Sequence, residues 1–431
     1  MGVWDFIGES TGEYTHDLHL YPARLNPNVA RRIIRLYGKD ARNMLDPYCG
    51  SGTTLVEARL AGLDAHGFDI NPSARLISKA KTRDYDLNRL TQYFDHILSL
   101  MSETALVSWE ESVDQSGVPA EVLETWIPIN SAQEIATTLR IIEDFKAPIE
   151  FSDLARVVLS DCLRALSNQR AGEWKLYREE GFLARNLKEG ADINKMDKLP
   201  LVRIMTEKIR SAIHGITDLS EKLTQSERTK ECRVFDTNSV NQAIFPSAPD
   251  EGYDLVVTSP PYGDSATTVA YSQFSWFTNT WLGLDRRSHG KLASEMMGGN
   301  GTSPSLIDGQ VKKFGCRTID SAISKMEDGF ARKNYVFYRD YLESIRNVAQ
   351  NVKKGGFVCY VVGNRTSGEE YMRMDLFTKW AFKKYGFKPR KIKERALPNT
   401  RMPGKIAVID KGVKRTIPTM NKELIVVCQK I

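Results

Sequence analysis

The sequence is poor in cysteine, and none of its cysteines stands at the spacing that metal ligands use. Six occur in 431 residues, at positions 49, 162, 232, 316, 359 and 428. The absence of any Cys-x-x-Cys pair argues against a zinc ribbon or a disulfide scaffold and favours reduced thiols. The amino terminus has no basic region followed by an apolar core, and no apolar run approaches membrane-spanning length. We therefore expect a cytoplasmic protein with no metal site and no membrane partner.

A strong excess of charge of either sign is also lacking. The formal net charge is +6 and the isoelectric point is near 8.8, a mildly basic balance that permits a nucleic-acid partner without requiring one. Hydrophobic residues make up 41% and charged residues 26%, which is the composition of a soluble globular protein. A chain of this length can build one large or two ordinary domains with a sizeable core.

The most informative stretch is an apolar run, Tyr253 to Val257, that ends in Thr258-Ser259-Pro260-Pro261-Tyr262. This pattern predicts a buried strand that breaks into a stiff loop at its carboxyl end. Two successive prolines fix the backbone and remove two donors, so nearby carbonyl oxygens are held as rigid acceptors. A rigid acceptor beside the flat ring of Tyr262 suits a planar nucleobase with an exocyclic amine. The structural alternative is a strand-terminating turn with a packed tyrosine.

A second motif lies upstream, where a short strand, Asn43 to Asp46, precedes the glycine loop that runs to Thr54. Glycines after a strand let a ligand approach the backbone closely, and the following helix offers free N–H groups. The loop is not a P-loop, because no lysine follows its second glycine, and Leu55 replaces the third glycine of a dinucleotide fingerprint. Asp69 ends the next strand and can accept from a ribose diol; a solvated strand-end acid is the alternative.

Strand and helix patterns alternate around these motifs, which predicts an α/β fold with a doubly wound parallel sheet. We expect three parts of the sheet domain, at residues 1–85, 229–262 and 334–431. Residues 86–228 have mainly helical periodicity and are expected to form an inserted α-helical subdomain, whereas residues 263–333 are expected to be a partly irregular excursion. In the last part, we expect an amphipathic helix from Tyr335 to Val352, closed by Lys353 to Gly356.

Together the motifs resemble the S-adenosylmethionine-dependent amino-methyltransferases that act on nucleic-acid bases, most closely the DNA cytosine-N4 branch with Thr-Ser-Pro-Pro-Tyr. The resemblance covers His16 to Asn71 and Cys232 to Gly263, and more loosely Tyr335 to Cys428. It implies a Rossmann-like methyltransferase sheet, S-adenosyl-L-methionine as cofactor, and double-stranded DNA as substrate. It also implies that Ser259, Pro260, Pro261 and Tyr262 are the catalytic loop.

The resemblance also assigns a cofactor site. The segment Leu18 to Asn28 resembles the family's amino-terminal cofactor segment, the glycine loop would lie under the methionine end, and a polar group at the end of a later strand would face the adenine. The implied cofactor residues are Tyr21, Pro22, Asn26, Asp46, Tyr48, Gly50, Ser51, Gly52, Thr53, Thr54, Asp69, Ile70, Asp236 and Thr258.

In the implied reaction the base is swung out of the duplex. Tyr262 stacks on it, Ser259 hydrogen-bonds its Watson–Crick edge, and the carbonyl of Pro260 accepts from the amine. Serine before the two prolines is typical of cytosine N4, whereas aspartate or asparagine mostly accompanies adenine; because serine can serve either base, adenine N6 stays open. Cytosine C5 methylation needs a cysteine thiolate, generally in Pro-Cys, which is absent here. Zinc deaminase signatures are absent as well.

Two functions outside DNA methylation also stay open: an RNA base amino-methyltransferase, and a non-catalytic module that keeps the fold. For DNA recognition the candidates are residues 86–228 and 263–333. The former contains a candidate DNA-facing turn, Ser167 to Trp174, for which a helix terminus with a packed tryptophan is the alternative. The latter carries phosphate-binding side chains at Lys312, Lys313, Arg317, Arg332 and Lys333. A cognate restriction endonuclease is an expected partner, and the chain is expected to be a monomer or a dimer.

Overall fold

The computed structural model describes residues 2–170, 174–178, 200–263, 268–299, 312–397, 405–410, 413–418 and 420–431. The helices that it contains are α1 (Pro27–Tyr37), α2 (Thr53–Leu60), α3 (Pro72–Thr82), α4 (Leu87–Glu103), α5 (Trp109–Ser116), α6 (Ala120–Trp126), α7 (Ile129–Asp144), α8 (Ile149–Cys162), α9 (Pro200–Lys222), α10 (Gln225–Arg228), α11 (Tyr271–Phe274), α12 (Trp276–Trp281), α13 (His289–Glu295), α14 (Arg317–Ile323), α15 (Asp328–Gln350) and α16 (Met374–Lys384). None of these helices is long and apolar enough to cross a membrane.

A mixed sheet forms the centre of the molecule, and its strands run in the order β3-β2-β1-β4-β5-β12-β8, with β9 also pairing with β12. Their bounds are β1 (Asn43–Asp46), β2 (Asp64–Asp69), β3 (Cys232–Asp236), β4 (Tyr253–Thr258), β5 (Val352–Gly363), β8 (Phe387–Pro389), β9 (Lys393–Ala396) and β12 (Lys422–Lys430). The first five strands pair in parallel, and β12 is antiparallel to β5. The doubly wound, Rossmann-like α/β fold is thus confirmed, with an antiparallel edge on an otherwise parallel sheet.

The sequence explains why these elements form. All six residues of β4 are buried, as expected for a strand covered by helices on both faces, and its near-continuous apolar run fits that position. Helix α1 begins where Asn26 caps it: the Asn26 side chain accepts from the N–H of Asn28 at 2.9 Å, and Pro27 occupies the first turn.

The region between α3 and β3 is mainly helical. Its helices pack around one hydrophobic cluster in which Leu139, Leu154 and Met205 are fully buried, and the same cluster includes Ala80 of α3 and Tyr21 of the amino-terminal segment. The helical region therefore shares its core with the face of the sheet domain that carries α3.

The long helix of the last part differs from the expected one at both ends. Helix α15 begins at Asp328 instead of Tyr335: Ala331 and Asn334 in its first turns are buried, and the Asn334 amide donates to the Phe330 carbonyl and to the Ser367 hydroxyl. The residues Lys353 to Gly356 do not close a helix; they belong to β5, where a register shift against β4 accommodates them and Gly355 has φ +83°. The boundary expected between residues 333 and 334 consequently falls inside α15.

In the described residues, six short strands are additions to the expected pattern: the edge strands β8 and β9, and two hairpins. The hairpin of β6 (Arg365–Ser367) and β7 (Glu370–Met372) follows β5, and β10 (Lys405–Asp410) pairs with β11 (Val413–Pro418). The excursion expected at residues 263–333 contains α11 to α14 in its described parts, while residues 264–267 and 300–311 lie outside the described residues.

Candidate active site

The candidate site lies where the order of the strands reverses. Strands β2 and β3 continue the sheet on one side of β1, and β4 and β5 continue it on the other. Asp46, Asp69 and Thr258 are the last residues of β1, β2 and β4. In open α/β sheets ligands bind in the crevice outside the carboxyl ends of the strands at such a switch point. The topology therefore brings the glycine loop and the Ser-Pro-Pro-Tyr loop to one crevice.

Asp46 connects the two loops directly. Its carboxylate accepts from the Thr258 hydroxyl at 2.5 Å, from the Thr54 hydroxyl, and from the N–H of Tyr48 at 3.0 Å. Burial raises the pKa of Asp46 to about 6, although these three hydrogen bonds oppose the rise. Thr54 opens α2 and Thr258 precedes Ser259, so one buried side chain fixes both loops relative to β1.

The glycine loop has the backbone that only glycine adopts readily. Gly50 has φ +49° and Gly52 has φ +81°. A Cβ atom at Gly52 would lie 2.3 Å from the Ser78 hydroxyl, and one at Gly50 would lie 3.4 Å from the Tyr21 ring. The loop is therefore held between Tyr21 and α3: a side chain at Gly52 would clash with Ser78, and one at Gly50 would touch Tyr21 and need an unfavourable positive φ.

Asp69 holds the other side of the glycine loop. Its carboxylate accepts from the N–H of Gly50 at 3.0 Å and from the N–H of Asn71 at 2.8 Å. Burial raises its pKa above the ordinary value. A carboxylate has about four acceptor positions, so Asp69 keeps capacity to accept from a further donor in the cavity that it lines.

An aromatic cluster covers one wall of the cavity. The ring of Tyr21 stacks on Tyr271 with centroids 6.1 Å apart and meets Phe274 edge-on at 5.9 Å, and its hydroxyl accepts from the side-chain amide of Asn71 at 3.3 Å. Tyr271 belongs to α11 in the excursion after the Ser-Pro-Pro-Tyr loop. This segment was not expected to reach the cavity, and its only sequence signal is a cluster of aromatic residues.

The Ser-Pro-Pro-Tyr loop forms the opposite wall. Ser259 and Pro261 line the cavity. The Ser259 hydroxyl lies 3.0 Å from the Tyr262 hydroxyl, which donates to Glu423 Oε1 at 3.1 Å. The ring of Tyr262 packs against Gly363 of β5, where a Cβ atom would lie 2.6 Å from it.

The structure brings most of the predicted site residues into this one cavity but not all of them. Those that line it are Tyr21, Pro22, Asp46, Tyr48, Gly50, Ser51, Thr53, Thr54, Asp69, Ile70, Ser259 and Pro261. Those that do not are Asn26, Gly52, Asp236, Thr258, Pro260 and Tyr262. Asn26 caps α1, Thr258 is bonded to Asp46, and Gly52 lies against Ser78.

Asp236, which was expected to face the adenine, does not line the cavity. Its two carboxylate oxygens accept from Arg75 at 2.9 and 3.0 Å, and its side chain is 71% exposed. The residues that follow it, 237–240, line the cavity instead, together with Met296 and Met297. The Asp236 carboxylate thus points away from the cavity, toward the arginine on α3.

The residues present fit a nucleoside joined to an amino acid. In the described part of the chain, the hydroxyls of Ser51 and Thr53 are buried without a hydrogen-bond partner, and both lie in the cavity wall where α2 begins. Such hydroxyls and the N–H groups of a helix start suit a carboxylate, the acid at Asp69 suits a ribose, and Phe68 and Val240 offer apolar contact. The fold and this cavity define a Rossmann-like S-adenosylmethionine-dependent methyltransferase.

Comparison with known proteins gives the family. Residues 1–80 match the N6/N4 methyltransferase family, described as DNA methylase. The chain is 30% identical over 434 residues to type II methyltransferase M.MvaI of Kocuria varians, covering 97% of this chain and 92% of that protein. It is 22% identical over 286 residues to M.BsoBI of Geobacillus stearothermophilus, covering 63% and 53%. A shorter match, 42% over 52 residues, is to the tRNA (guanine(10)-N2)-dimethyltransferase of Methanothermobacter thermautotrophicus, covering 12% and 16%.

The chain belongs to the type II DNA methyltransferases of the N6/N4 amino-methylating family, and its cofactor is S-adenosylmethionine. The resemblance stated from the motifs is thereby confirmed at the level of the family. The match at residues 1–80 contains α1, the glycine loop and Asp69.

Proposed function

We propose that this enzyme methylates the exocyclic N4 amine of a cytosine flipped out of duplex DNA, at a specific site, as part of a restriction-modification system. The observation that carries the proposal is the shared cavity: Gly50 and Ser259 line the same space, and Asp46 is hydrogen-bonded to Thr54 in one loop and Thr258 in the other. A donor over the glycines and a base at Ser259 would then be neighbours.

The exocyclic amine is a poor nucleophile because its lone pair is delocalised into the ring. Two oxygen acceptors, the Ser259 hydroxyl and the Pro260 carbonyl, would hold its two N–H groups and stabilise the positive charge that grows on nitrogen. Bound S-adenosylmethionine supplies an activated methyl group. Tyr262, whose ring is fixed against Gly363, would contact the flipped base and limit its rotation.

The proposed cofactor contacts follow from the cavity. Asp69 would accept from the ribose, Ser51, Thr53 and the start of α2 would bind the carboxylate of the methionine, and Tyr21 would close over that end. Asp46, which already accepts three hydrogen bonds, would act chiefly by holding both loops in position.

Cytosine is favoured over adenine by one side chain. Serine stands at position 259, where members that modify adenine mostly carry aspartate or asparagine. The experiment is to incubate unmethylated plasmid DNA with the enzyme, digest it to nucleosides and resolve the products by mass spectrometry. N4-methylcytosine supports the proposal; N6-methyladenine alone would replace it with the adenine-N6 reaction.

A base on RNA is the second candidate, because 52 residues are 42% identical to a tRNA guanine-N2 enzyme. That match covers 12% of the chain, and it indicates the shared donor-binding and transfer machinery more than a shared substrate. Transfer of labelled methyl to total RNA but not to duplex DNA would support it. Labelling of neither substrate would favour a non-catalytic module.

We propose that DNA lies across the catalytic edge of the sheet. Lys312, Lys313 and Arg332 line one cleft at the amino end of α15. Nearby, Arg365 Nη2 donates to the Asn334 side chain at 3.2 Å, and the same guanidinium lies beside Gly263, directly after the catalytic loop. Lysine and arginine side chains on this side of the molecule would bind the phosphates of the DNA backbone.

The helical region is proposed to contribute a second DNA contact. In the turn expected at Ser167 to Trp174, the N–H of Arg170 donates to the carbonyl of Tyr177 at 2.8 Å, and the Trp174 ring meets Phe274 edge-on at 5.7 Å. Residues 171–173 lie outside the described residues. Trp174 thus has a packing role, while the exposed Arg170 and Tyr177 beside it are available to DNA. A cognate restriction endonuclease is the proposed functional partner.

A further inference from the structure

Four side chains form one continuous series of hydrogen bonds that begins at Ser259 in the cavity wall. The Ser259 hydroxyl is 3.0 Å from the Tyr262 hydroxyl, Tyr262 donates to Glu423 Oε1 at 3.1 Å, and Arg395 Nη1 donates to Glu423 Oε2 at 2.5 Å. Glu423 and Arg395 face each other on the paired strands β12 and β9, and their side chains are only 14% and 6% exposed. Neither residue was singled out by its sequence context.

The ion pair of Glu423 and Arg395 determines the direction of the other two hydrogen bonds in this series. A carboxylate paired with a guanidinium can only accept, so the single proton of the Tyr262 hydroxyl points to Glu423. The Ser259 hydroxyl must then donate its own proton to the Tyr262 oxygen. Because Ser259 lines the cavity, the lone pairs of its oxygen are what it presents there.

We propose that Glu423 is a positioning residue that fixes Ser259 as a hydrogen-bond acceptor toward the substrate. The inference rests on the proposed amine methylation and deepens it. A serine hydroxyl that rotates freely could also donate its proton to a ring nitrogen or a carbonyl of the base. When the Ser259 proton is already donated to Tyr262, its oxygen can only accept, and it therefore suits an N–H donor. Glu423 thereby gives a serine loop the acceptor character that an aspartate would have by itself, and it selects for an exocyclic amine.

The isosteric change Glu423→Gln tests the direction of the hydrogen bonds in this series. Arg395 still requires an acceptor, so it takes the glutamine oxygen and leaves the amide NH2 facing Tyr262. The Tyr262 hydroxyl then donates to Ser259, and Ser259 points its proton into the cavity toward an amine that also carries protons. We expect kcat to fall about 10- to 100-fold, with donor affinity by calorimetry and the melting temperature close to wild type.

Tyr262→Phe distinguishes this role from a structural one. The phenylalanine ring keeps the contact with the base but interrupts the series, so Ser259 can rotate freely and kcat should fall less than in Glu423→Gln. In the double variant kcat should return to the level of Tyr262→Phe alone, because glutamine no longer reaches Ser259. The matched control is Glu394→Gln, an exposed carboxylate on β9 paired with Lys422, which should leave kcat unchanged.

Two outcomes would overturn the inference. One is a wild-type kcat in Glu423→Gln; the other is that adding Glu423→Gln to Tyr262→Phe lowers kcat by the same factor as it does in the wild-type enzyme. If Glu423→Gln does not fold, Ser259→Ala is compared with the double variant Ser259→Ala, Tyr262→Phe. Because the Tyr262 hydroxyl is proposed to act through Ser259, the two should have the same kcat. The product digest is a separate measurement. N6-methyladenine would refute the choice of cytosine and leave the role of Glu423 standing, since both bases carry an amine.

Discussion

The buried carboxylate of Asp46 holds the two loops of the site in position, but it should make the folded protein less stable at neutral pH than at acidic pH. Its pKa is raised from 3.8 to about 6, which corresponds to about 3 kcal/mol favouring the protonated form in the folded protein. Folding therefore gains stability from Asp46 below pH 4 and loses it as the pH rises through 6. At neutral pH the folded protein carries a buried charge that the unfolded chain would solvate freely.

The perturbation is Asp46→Asn. The asparagine oxygen can keep the hydrogen bonds from Thr258 and from the N–H of Tyr48, and its NH2 group can donate to the Thr54 hydroxyl, which accepts as well as it donates. We expect the free energy of unfolding of the variant, relative to wild type, to rise by about 2.5 kcal/mol between pH 4 and pH 7.

The assay is urea denaturation followed by tryptophan fluorescence at a series of pH values without cofactor. Glu134, whose pKa burial raises to about 7, titrates in both proteins, so its contribution cancels in the difference. Parallel pH profiles for the two proteins would show that Asp46 ionises normally and would refute the reasoning. Asp46→Ala is the contrasting variant, because it leaves three buried donors without an acceptor and should destabilise at every pH.

Two further predictions concern ligands. Asp69→Ala should weaken S-adenosylmethionine binding by about 10-fold or more through loss of the proposed ribose acceptor, and equal affinities by calorimetry would contradict that role. Replacing Lys312, Lys313 and Arg332 by glutamine should weaken DNA binding and reduce the slope of log K against log salt by about 0.9 per lost phosphate contact. The control is Lys383→Gln, an exposed change near the end of α16; a salt slope altered equally by the control would refute the placement.

The parts of the site that depend on short-range signals could be predicted from the sequence. The glycine loop and the Ser-Pro-Pro-Tyr loop each follow a strand, and both reach the same cavity. Glycine and proline restrict the backbone locally, so their meaning does not depend on distant partners. The fold class follows for the same reason, since strand and helix periodicities alternate along the chain.

What could not be predicted depends on partners far away in the sequence. Asp236 ends the expected strand, but its direction is decided by Arg75 on another element. Tyr271 and Glu423 enter the site because α11 and β12 pack beside it, and neither carries a motif. The early start of α15 was missed because its first turns are polar, and buried Asn334 is satisfied by Ser367 of a hairpin that the sequence did not reveal.

The adjacency of β1 and β4 has a consequence for how the molecule assembles. Asn43 and Asp254 meet across these strands although 211 positions separate them, and closing so long a loop costs about 5 kcal/mol of chain entropy. Parallel pairing over such a span is slow, whereas the helices between the strands are built from local contacts. A refolding chain should therefore regain its helical circular dichroism well before it binds the methyl donor. The delay between these two signals measures how long β1 and β4 take to pair.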